Sequence, residues 1–129
     1  MKPTESYEDY KPKGWHCVTP RIVAKDAQSL VVFLKSVFGA TGDYDQDRPS
    51  QLTIGDSIVM ITDAGVRSAF PAFLYVYVPD VDATYARALN ERARSLETPT
   101  NTPYGDRRAM VTDRWGNAWQ IASINHDAT

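Results

Sequence analysis

The chain repeats one order of elements, a strand, then a helix, then further strands, and this repetition restricts the folds it can adopt. The clearest element is a helix in the first half, where apolar residues fall at helical spacing: Leu30, Phe33, Leu34, Val37 and Phe38. Asp26 precedes this run and Gly39 follows it, so we predict an N-cap at Asp26 and a stop at Gly39.

Strands surround this helix on both sides. The residue pattern predicts strands over residues 18–24, 51–54 and 57–62, and Gly55-Asp56 forms a hairpin turn between the last two. The second half follows the same order, with predicted strands over residues 73–78, 96–100, 107–112 and 118–123. Its helix begins at Asp80 or Asp82 and carries one apolar face, formed by Val81, Tyr85, Ala88 and Leu89.

Two alignments of the halves compete. The segment that begins at Gly55-Asp56 resembles the one that begins at Gly105-Asp106, but this alignment would pair strands of different rank. Pairing helix with helix instead places the Gly55 turn opposite the Gly116 turn. We favour this second alignment, because it also pairs the last hairpin of each half.

Length and composition are consistent with one core. A chain of 129 residues with 43% hydrophobic content buries roughly two-thirds of its unfolded surface. Residues 1–14 are polar and contain two prolines, which predicts a flexible N-terminal arm. We therefore expect a single domain over residues 15–129, with modules at about 15–65 and 70–124.

Charge and apolar content exclude several functions. The net charge of -2 is spread without a basic stripe, so nucleic acid is not an expected partner. No apolar run is long enough for a membrane span or a signal peptide, so we expect a cytoplasmic protein without membrane contact. The lone Cys17 is interpreted as a small core residue.

The most specific motif closes the second half. Residues 113–122 read Asp-Arg-Trp-Gly-Asn-Ala-Trp-Gln-Ile-Ala, which resembles the Asp-x-x-Gly-Asn-x-Trp ending of the vicinal oxygen chelate superfamily. That superfamily includes glyoxalases, bleomycin-resistance proteins and ring-cleaving dioxygenases. Shorter segments in matching order make the chain most similar to the PhnB-like subgroup; they are residues 19–23, 38–40, 54–57 and 104–107.

The resemblance implies an α+β fold. In this family two βαβββ modules form a cupped mixed β-sheet, with helices outside and a ligand cavity inside. The family commonly covers its free strand edges by pairing subunits, so a homodimer is expected as well.

Strand alternation sorts side chains into two sets, since neighbouring residues on a strand point to opposite faces. The apolar set should pack under the helices and comprises Pro20, Ile22, Ala24, Val59, Ile61, Leu74, Val76, Val78, Ala109, Val111, Trp119 and Ile121. The other set, apart from Thr62, gives the candidate ligand-binding residues: Thr19, Arg21, Met60, Phe73, Tyr75, Tyr77, Arg108, Met110 and Gln120. The alternative is that this second set is ordinary exposed strand surface.

The resemblance also locates the positions that bind metal in metal-dependent members. They fall here on Thr19, Met60, Phe73 and Gln120, or on Val59 in place of Met60. None of these residues is a normal ligand of a divalent cation. The two histidines, His16 and His126, flank the predicted strands, so we expect no metal and no other cofactor and assign no catalytic residue.

Three functions remain open. The first is a metal-free protein that binds a partly planar, anionic or carbonyl-bearing small molecule, as in sequestration or resistance. The second is a glyoxalase-type lyase or isomerase whose metal site uses unexpected residues such as His16 or Glu97. The third is a dimerisation or regulatory module without a ligand.

Asp106 beside Arg107 and Arg108 is interpreted as a surface ion pair.

Overall fold

Seven strands and two helices make up the described part of the chain. The structure is a computed structural model and describes residues 10–126, so most of the predicted N-terminal arm lies outside it. The elements are β1 (Arg21–Ala24), α1 (Ala27–Phe38), β2 (Ser50–Ile54), β3 (Ser57–Asp63), β4 (Phe73–Tyr77), α2 (Val81–Asn90), β5 (Arg94–Asn101), β6 (Asp106–Thr112) and β7 (Ala118–Ile124).

Both predicted caps of α1 are confirmed. The Asp26 side chain accepts a hydrogen bond from the Ser29 backbone N–H, and Gly39 ends the helix in the left-handed region at φ 66°. Glycine adopts that conformation without the steric penalty that a Cβ atom causes. Leu30 and Leu34 are fully buried on the face that the spacing predicted.

Asp80 is the N-cap of α2, since its carboxylate accepts from the Ala83 N–H. The predicted apolar face of this helix is partly wrong, because Leu89 is 39% exposed while Thr84 is buried in the stripe of Val81 and Ala88. Arg87 explains the buried threonine, since its guanidinium donates to the Thr84 hydroxyl and to the Val37 carbonyl at the end of α1. Tertiary hydrogen bonding between the helices thus decides which α2 residues are buried.

The two halves share one topology. The first sheet has the order β1-β3-β2, and the second has the order β4-β7-β6-β5. In each half the first strand runs parallel to the last, and the last two strands form an antiparallel hairpin. The hairpin turns at Gly55 and Gly116 are therefore equivalent, as the alignment of helix with helix predicted.

The predicted α+β fold of two modules with mixed β-sheet and two helices is confirmed, and it differs in two details from two complete βαβββ modules in one sheet. The strands form two separate sheets, and the first has three strands because the segment after α1 makes only a single bridge, between Thr41 and Thr53. Gly42 explains the close approach there, since a Cβ atom on it would lie 2.3 Å from the Gln51 carbonyl oxygen. The polar residues that follow Gly42 do not continue the pairing with β2.

The start of the first strand is also shorter than predicted. Strand β1 begins at Arg21 and not at residue 18, because Pro20 has no N–H to donate, although its carbonyl accepts from the Met60 N–H. The prediction that Cys17 is a core residue is wrong. It is exposed, and its sulfur lies 3.2 Å from the Tyr10 hydroxyl.

One hydrophobic core joins the two halves and contains the predicted apolar set, apart from Pro20, which is only partly buried and lies outside the core. Fully buried members include Ile22, Ile61, Val111, Trp119 and Ile121, while Leu74, Val76 and Val78 pack on its margin. The ring of Phe38 in α1 lies 5.1 Å from the ring of Trp119 in β7. Helix α1 therefore packs against the second sheet's core as well as its own.

Neither helix in residues 10–126 is long and apolar enough to cross a membrane.

The Asp113 carboxylate organises the turn between β6 and β7. It is buried, and its Oδ1 accepts from the backbone N–H groups of Trp115 and Asn117, both at 2.9 Å. Its Oδ2 accepts from the Asn117 side-chain amide at 3.0 Å and from the Trp119 indole N–H at 2.8 Å. A single carboxylate thus satisfies four donors, which is why the motif begins with aspartate.

The same turn fixes the neighbouring strand. The Asn117 side-chain oxygen accepts from the Ala72 backbone N–H at 2.8 Å, immediately before β4 begins. Gly116 has φ 88°, a left-handed conformation that favours glycine. The Gly-Asn-x-Trp part of the motif therefore makes the turn, holds β4 and places Trp119 in the core.

We expect Asp113→Asn to destabilise the protein by about 2–4 kcal/mol. In the variant an amide NH2 group, which is a donor, replaces one of the two carboxylate oxygens that accept these hydrogen bonds in the native protein. Urea denaturation followed by circular dichroism measures the change. The control is Asp56→Asn in the equivalent turn of the first half, an exposed carboxylate that accepts from the adjacent Ser57 hydroxyl and, within residues 10–126, has no other side-chain hydrogen bond. It should change stability by no more than about 0.5 kcal/mol, and equal losses in the two variants would contradict the assignment.

Candidate functional site

The structure separates the nine candidate ligand-binding residues into two groups. The aromatic face, on the second sheet, consists of Phe73, Tyr75, Tyr77, Arg108, Met110 and Gln120. The cationic face consists of Arg21, Met60 and the neighbouring Thr62 on the first sheet, together with Thr19, which precedes β1. Strand pairing places Arg21 beside Met60, and it places Tyr75, Gln120 and Met110 in one row across three strands.

Both groups lie on the side of their sheet that points away from the core, because they alternate with the buried residues of the same strands. Within residues 10–126, no hydrogen bond, ion pair or ring contact joins the aromatic face to the cationic face. Within the described part of one chain, the two faces therefore belong to separate sheets.

The aromatic face is open in the single chain. Phe73 is 67% exposed, Tyr75 41% and Tyr77 62%, and the two tyrosine rings lie 5.4 Å apart. Large aromatic side chains on a continuous strand face are costly to leave in water. The exposure of this face is an observation that a functional assignment must explain.

Asp106 organises the tyrosines of this face. The hydroxyls of Tyr75 and Tyr77 both donate to its Oδ2, at 2.6 and 2.9 Å. The predicted ion pair of Asp106 with Arg107 and Arg108 is wrong, since Arg107 pairs with Asp82 and Arg108 with Glu97. Strand alternation was the available signal: residues 106, 108 and 110 share one face of β6, and residue 107 points to the other.

The tyrosine hydroxyls stay protonated at neutral pH. Burial, with the hydrogen bond to the Asp106 carboxylate, raises the pKa of Tyr75 to about 12. The same carboxylate, with a smaller effect of burial, raises the pKa of Tyr77. Because both protons are directed at Asp106, the tyrosines offer a ligand their ring surfaces, and Gln120 offers the neutral amide.

Arg108 and Arg21 have different hydrogen-bond partners. Arg108 donates to both oxygens of Glu97, at 2.9 and 3.4 Å, and that carboxylate raises its pKa. Arg21 is exposed, and its Nε donates to the Thr62 hydroxyl at 2.9 Å. No salt bridge of the described residues includes Arg21. Arg21 is therefore the cation available to an anionic ligand.

The residues at the family's metal positions do not fit a divalent metal. Thr19, Met60, Phe73 and Gln120 offer a hydroxyl, a thioether, an aromatic ring and an amide, and divalent cations prefer imidazole, thiolate or carboxylate. The alternative position, Val59, is buried and has no donor atom. Residues 10–126 contain no cluster of three or more His, Cys, Asp or Glu side chains.

The residues named for a non-standard metal site are dispersed. His16 and His126 are exposed at the two ends of the described chain, and no group of potential ligands surrounds either. Glu97 lies opposite Met110 in the row that contains Tyr75 and Gln120, but both its oxygens accept from Arg108. Glu97 and Asp106 also lie on this face, although the strand pattern of the sequence did not place them there.

Replacing Asp106 by asparagine should lower the pKa of Tyr75, because the negative charge beside the phenol is removed while its burial is unchanged. Tyrosine ionisation followed by NMR of ring-labelled protein measures it, with Asp82→Asn, whose partner is Arg107, as the control. Because folding raises the pKa of Tyr75, its protonated phenol stabilises the native state at every pH below the pKa that Tyr75 has in the unfolded chain. This contribution to stability is lost as the pH rises through about 12. An unchanged Tyr75 titration in Asp106→Asn would show that burial alone raises the pKa.

Known proteins resemble this chain in sequence and in fold. An uncharacterised protein of Mycobacterium bovis is 29% identical over 122 residues, which cover 81% of this chain and 80% of that protein. The crystal structure of TioX from Micromonospora sp. ML1 has a TM-score of 0.71 at 23% identity, covering 83% of this chain and 97% of TioX.

A second structural relative comes from Burkholderia phytofirmans PsJN. It is described as a glyoxalase/bleomycin resistance protein/dioxygenase family enzyme, and it has a TM-score of 0.69 at 20% identity, covering 82% of this chain and 96% of that one. At these identities the structural likeness concerns the fold. The family profile described as the Glyoxalase/Bleomycin resistance protein/Dioxygenase superfamily matches residues 16–121. The chain therefore belongs to the glyoxalase/bleomycin resistance protein/dioxygenase superfamily, the vicinal oxygen chelate superfamily.

Proposed function

We propose that this protein binds a small, partly planar molecule with an anionic or carbonyl group, without a metal, and acts by sequestration or resistance. The observation that carries the proposal is the aromatic face, where exposed rings stand beside a neutral amide at positions that lack metal-binding donors. We also propose that the chain is related to the PhnB-like subgroup of the superfamily, because short segments of its sequence resemble that subgroup. Family membership sets the fold, and the residues of the site supply the argument for function.

Each group on the aromatic face has a defined part. The rings of Phe73, Tyr75 and Tyr77 supply flat apolar area for stacking. The Gln120 amide, which pairs in register with Tyr75, donates to or accepts from a carbonyl or hydroxyl of the ligand. Asp106 prevents the tyrosine hydroxyls from turning toward the ligand. The result is an apolar wall with one adaptable polar contact, a pattern typical of small-molecule sites.

A second copy of the chain completes the proposed site. The aromatic face lacks a free cation because Arg108 is paired with Glu97, whereas the cationic face of the same chain carries Arg21 but no aromatic ring. A two-fold dimer in which each cationic face covers the partner's aromatic face makes two identical cups. It also covers the exposed rings, and it shields the edge strands β1 and β4.

The alternative function is a glyoxalase-type lyase or isomerase with a non-standard metal site. Glu97 is the carboxylate of the aromatic face's central row, and it would have to leave Arg108 to bind a metal.

A cytoplasmic location is part of our proposal and is consistent with the free, exposed thiol of Cys17, which suits a reducing compartment.

Native mass spectrometry of the protein as isolated should show a dimer that carries no stoichiometric zinc, nickel, manganese or iron. The physical reason is the set of donors at the family's metal positions, and the control is the same protein dialysed against chelator, whose thermal stability should not change. A monomer near 14.4 kDa at micromolar concentration would contradict the completed cup. One equivalent of bound metal, with stability lost on chelation, would favour the enzyme.

Arg21→Met should weaken binding of the planar carboxylate naphthoate to the cup by about 1.5–3 kcal/mol, the value of a hydrogen bond to a charged group. Methionine keeps apolar bulk and removes the charge, so the melting temperature should change little. Isothermal titration calorimetry measures the affinity, with shifts of the Gln120 side-chain amide in NMR identifying the cup. Arg67→Met, an exposed loop arginine, is the control. Unchanged affinity in Arg21→Met, or an unfolded variant, would remove Arg21 from the site.

A further inference from the structure

A second cleft lies on the helical side of the protein, between α1, the end of α2 and the turn after β6. Its volume is about 430 Å³, and its lining includes Phe33, Trp115, Arg92 and Arg114. That volume falls within the range of about 300–1,000 Å³ of small-molecule sites. No residue of the aromatic or cationic face lines this cleft. We propose that it is a separate binding site for small planar carboxylates.

The cleft has an apolar wall that is held in place. The ring of Phe33, which is buried in α1, meets the Trp115 ring edge-on at 5.9 Å. Val32, one residue earlier in α1, lines the cleft and is 59% exposed. An indole fixed by a core phenylalanine, beside an exposed aliphatic side chain, offers a flat ring an ordered surface on which to pack.

Two guanidinium groups line the same cleft. The Arg114 guanidinium carbon lies 4.4 Å from the Trp115 ring centroid, a stacked arrangement that fixes its plane. Its ion pair with Asp26 is long, at 3.7 Å, and both side chains are about half exposed, so it contributes little and leaves the guanidinium available. Arg92 is the second cation, and Glu91 is the one acidic residue among the lining residues of the cleft.

The backbone of Arg92 gives an independent reason to assign a function to its side chain. Arg92 follows the last turn of α2 at φ 73°, in the left-handed region that a side chain rarely adopts. The left-handed residue that follows α1 is a glycine, Gly39, at φ 66°. An arginine where glycine would avoid strain points to a role for the guanidinium, since strained positions cluster at functional sites.

The geometry selects the ligand class. A guanidinium group binds a carboxylate through two parallel hydrogen bonds, and two such groups beside a fixed indole suit a flat acid with one carboxylate. The end of α2 does not repel the anion strongly, because the Arg87, Ala88 and Leu89 carbonyls already accept from backbone N–H groups of residues 91–93. Ser29 and Asn90 add neutral polar contacts at the rim.

The test uses naphthoate and NMR of the full chain, with the Trp115 indole N–H signal reporting the cleft. Arg92→Gly should bind at least about tenfold more weakly at the cleft, which corresponds to about 1.4 kcal/mol. The same variant should unfold at an equal or higher temperature, because glycine relieves the backbone strain. Weaker binding combined with retained stability separates a binding role from a structural one. Arg114→Met provides a second variant with the same expected loss.

Arg21→Met is the matched control and should leave the Trp115 response unchanged, since Arg21 belongs to the cationic face. The cleft assignment thus stands or falls independently of the cup. It is overturned if naphthoate at millimolar concentration leaves the Trp115 signal in place. It is also overturned if Arg92→Gly and Arg114→Met both bind at the cleft as the unaltered protein does.

Discussion

The arrangement of the second sheet depends on one buried carboxylate, that of Asp113. Four donors converge on it from the turn and from β7, and the adjoining Asn117 fixes the start of β4. Burying a carboxylate costs free energy unless its oxygens are hydrogen-bonded, and here four donors satisfy them. The interaction holds Trp119 in the core. Because strand neighbours alternate, it also directs Gln120 to the opposite face, beside Tyr75.

The site follows from this alternation and from side-chain chemistry. Five strands contribute to the core on one side and to the aromatic or the cationic face on the other, namely β1, β3, β4, β6 and β7. At the positions where relatives of this superfamily bind metal, this chain offers donors too soft or too weak for a divalent cation. What remains is stacking area, an amide, and an arginine on the other sheet. We therefore propose ligand binding rather than metal-dependent proton transfer for this face.

Local patterns predicted much of the fold. The caps Asp26 and Gly39 and the apolar strand faces depend on residues close in sequence, and they are confirmed. Long-range contacts explain the errors. Thr84 replaces Leu89 in the buried stripe because Arg87 reaches across to α1, and Asp106 meets two tyrosines from another strand. The reduced strand near Gly42 depends on the approach of β2, which no local pattern encodes. Eight of the nine candidate ligand residues lie on strands, on the faces away from the core, and Thr19 precedes β1. Their division between two sheets required the structure, and their role in binding stays a prediction.

The central claim is that each cup combines the cationic face of one chain with the aromatic face of another, and mixing two inactive variants tests it directly. Isotope-labelled Arg21→Met protein is refolded with unlabelled Tyr75→Leu protein, and naphthoate is added while the labelled Gln120 amide is observed. In a mixed dimer the labelled chain keeps Tyr75 and receives Arg21 from its partner, so its Gln120 signal should recover the response of the unaltered protein. If each chain forms its own cup, every cup carries one substitution, and no recovery will be seen.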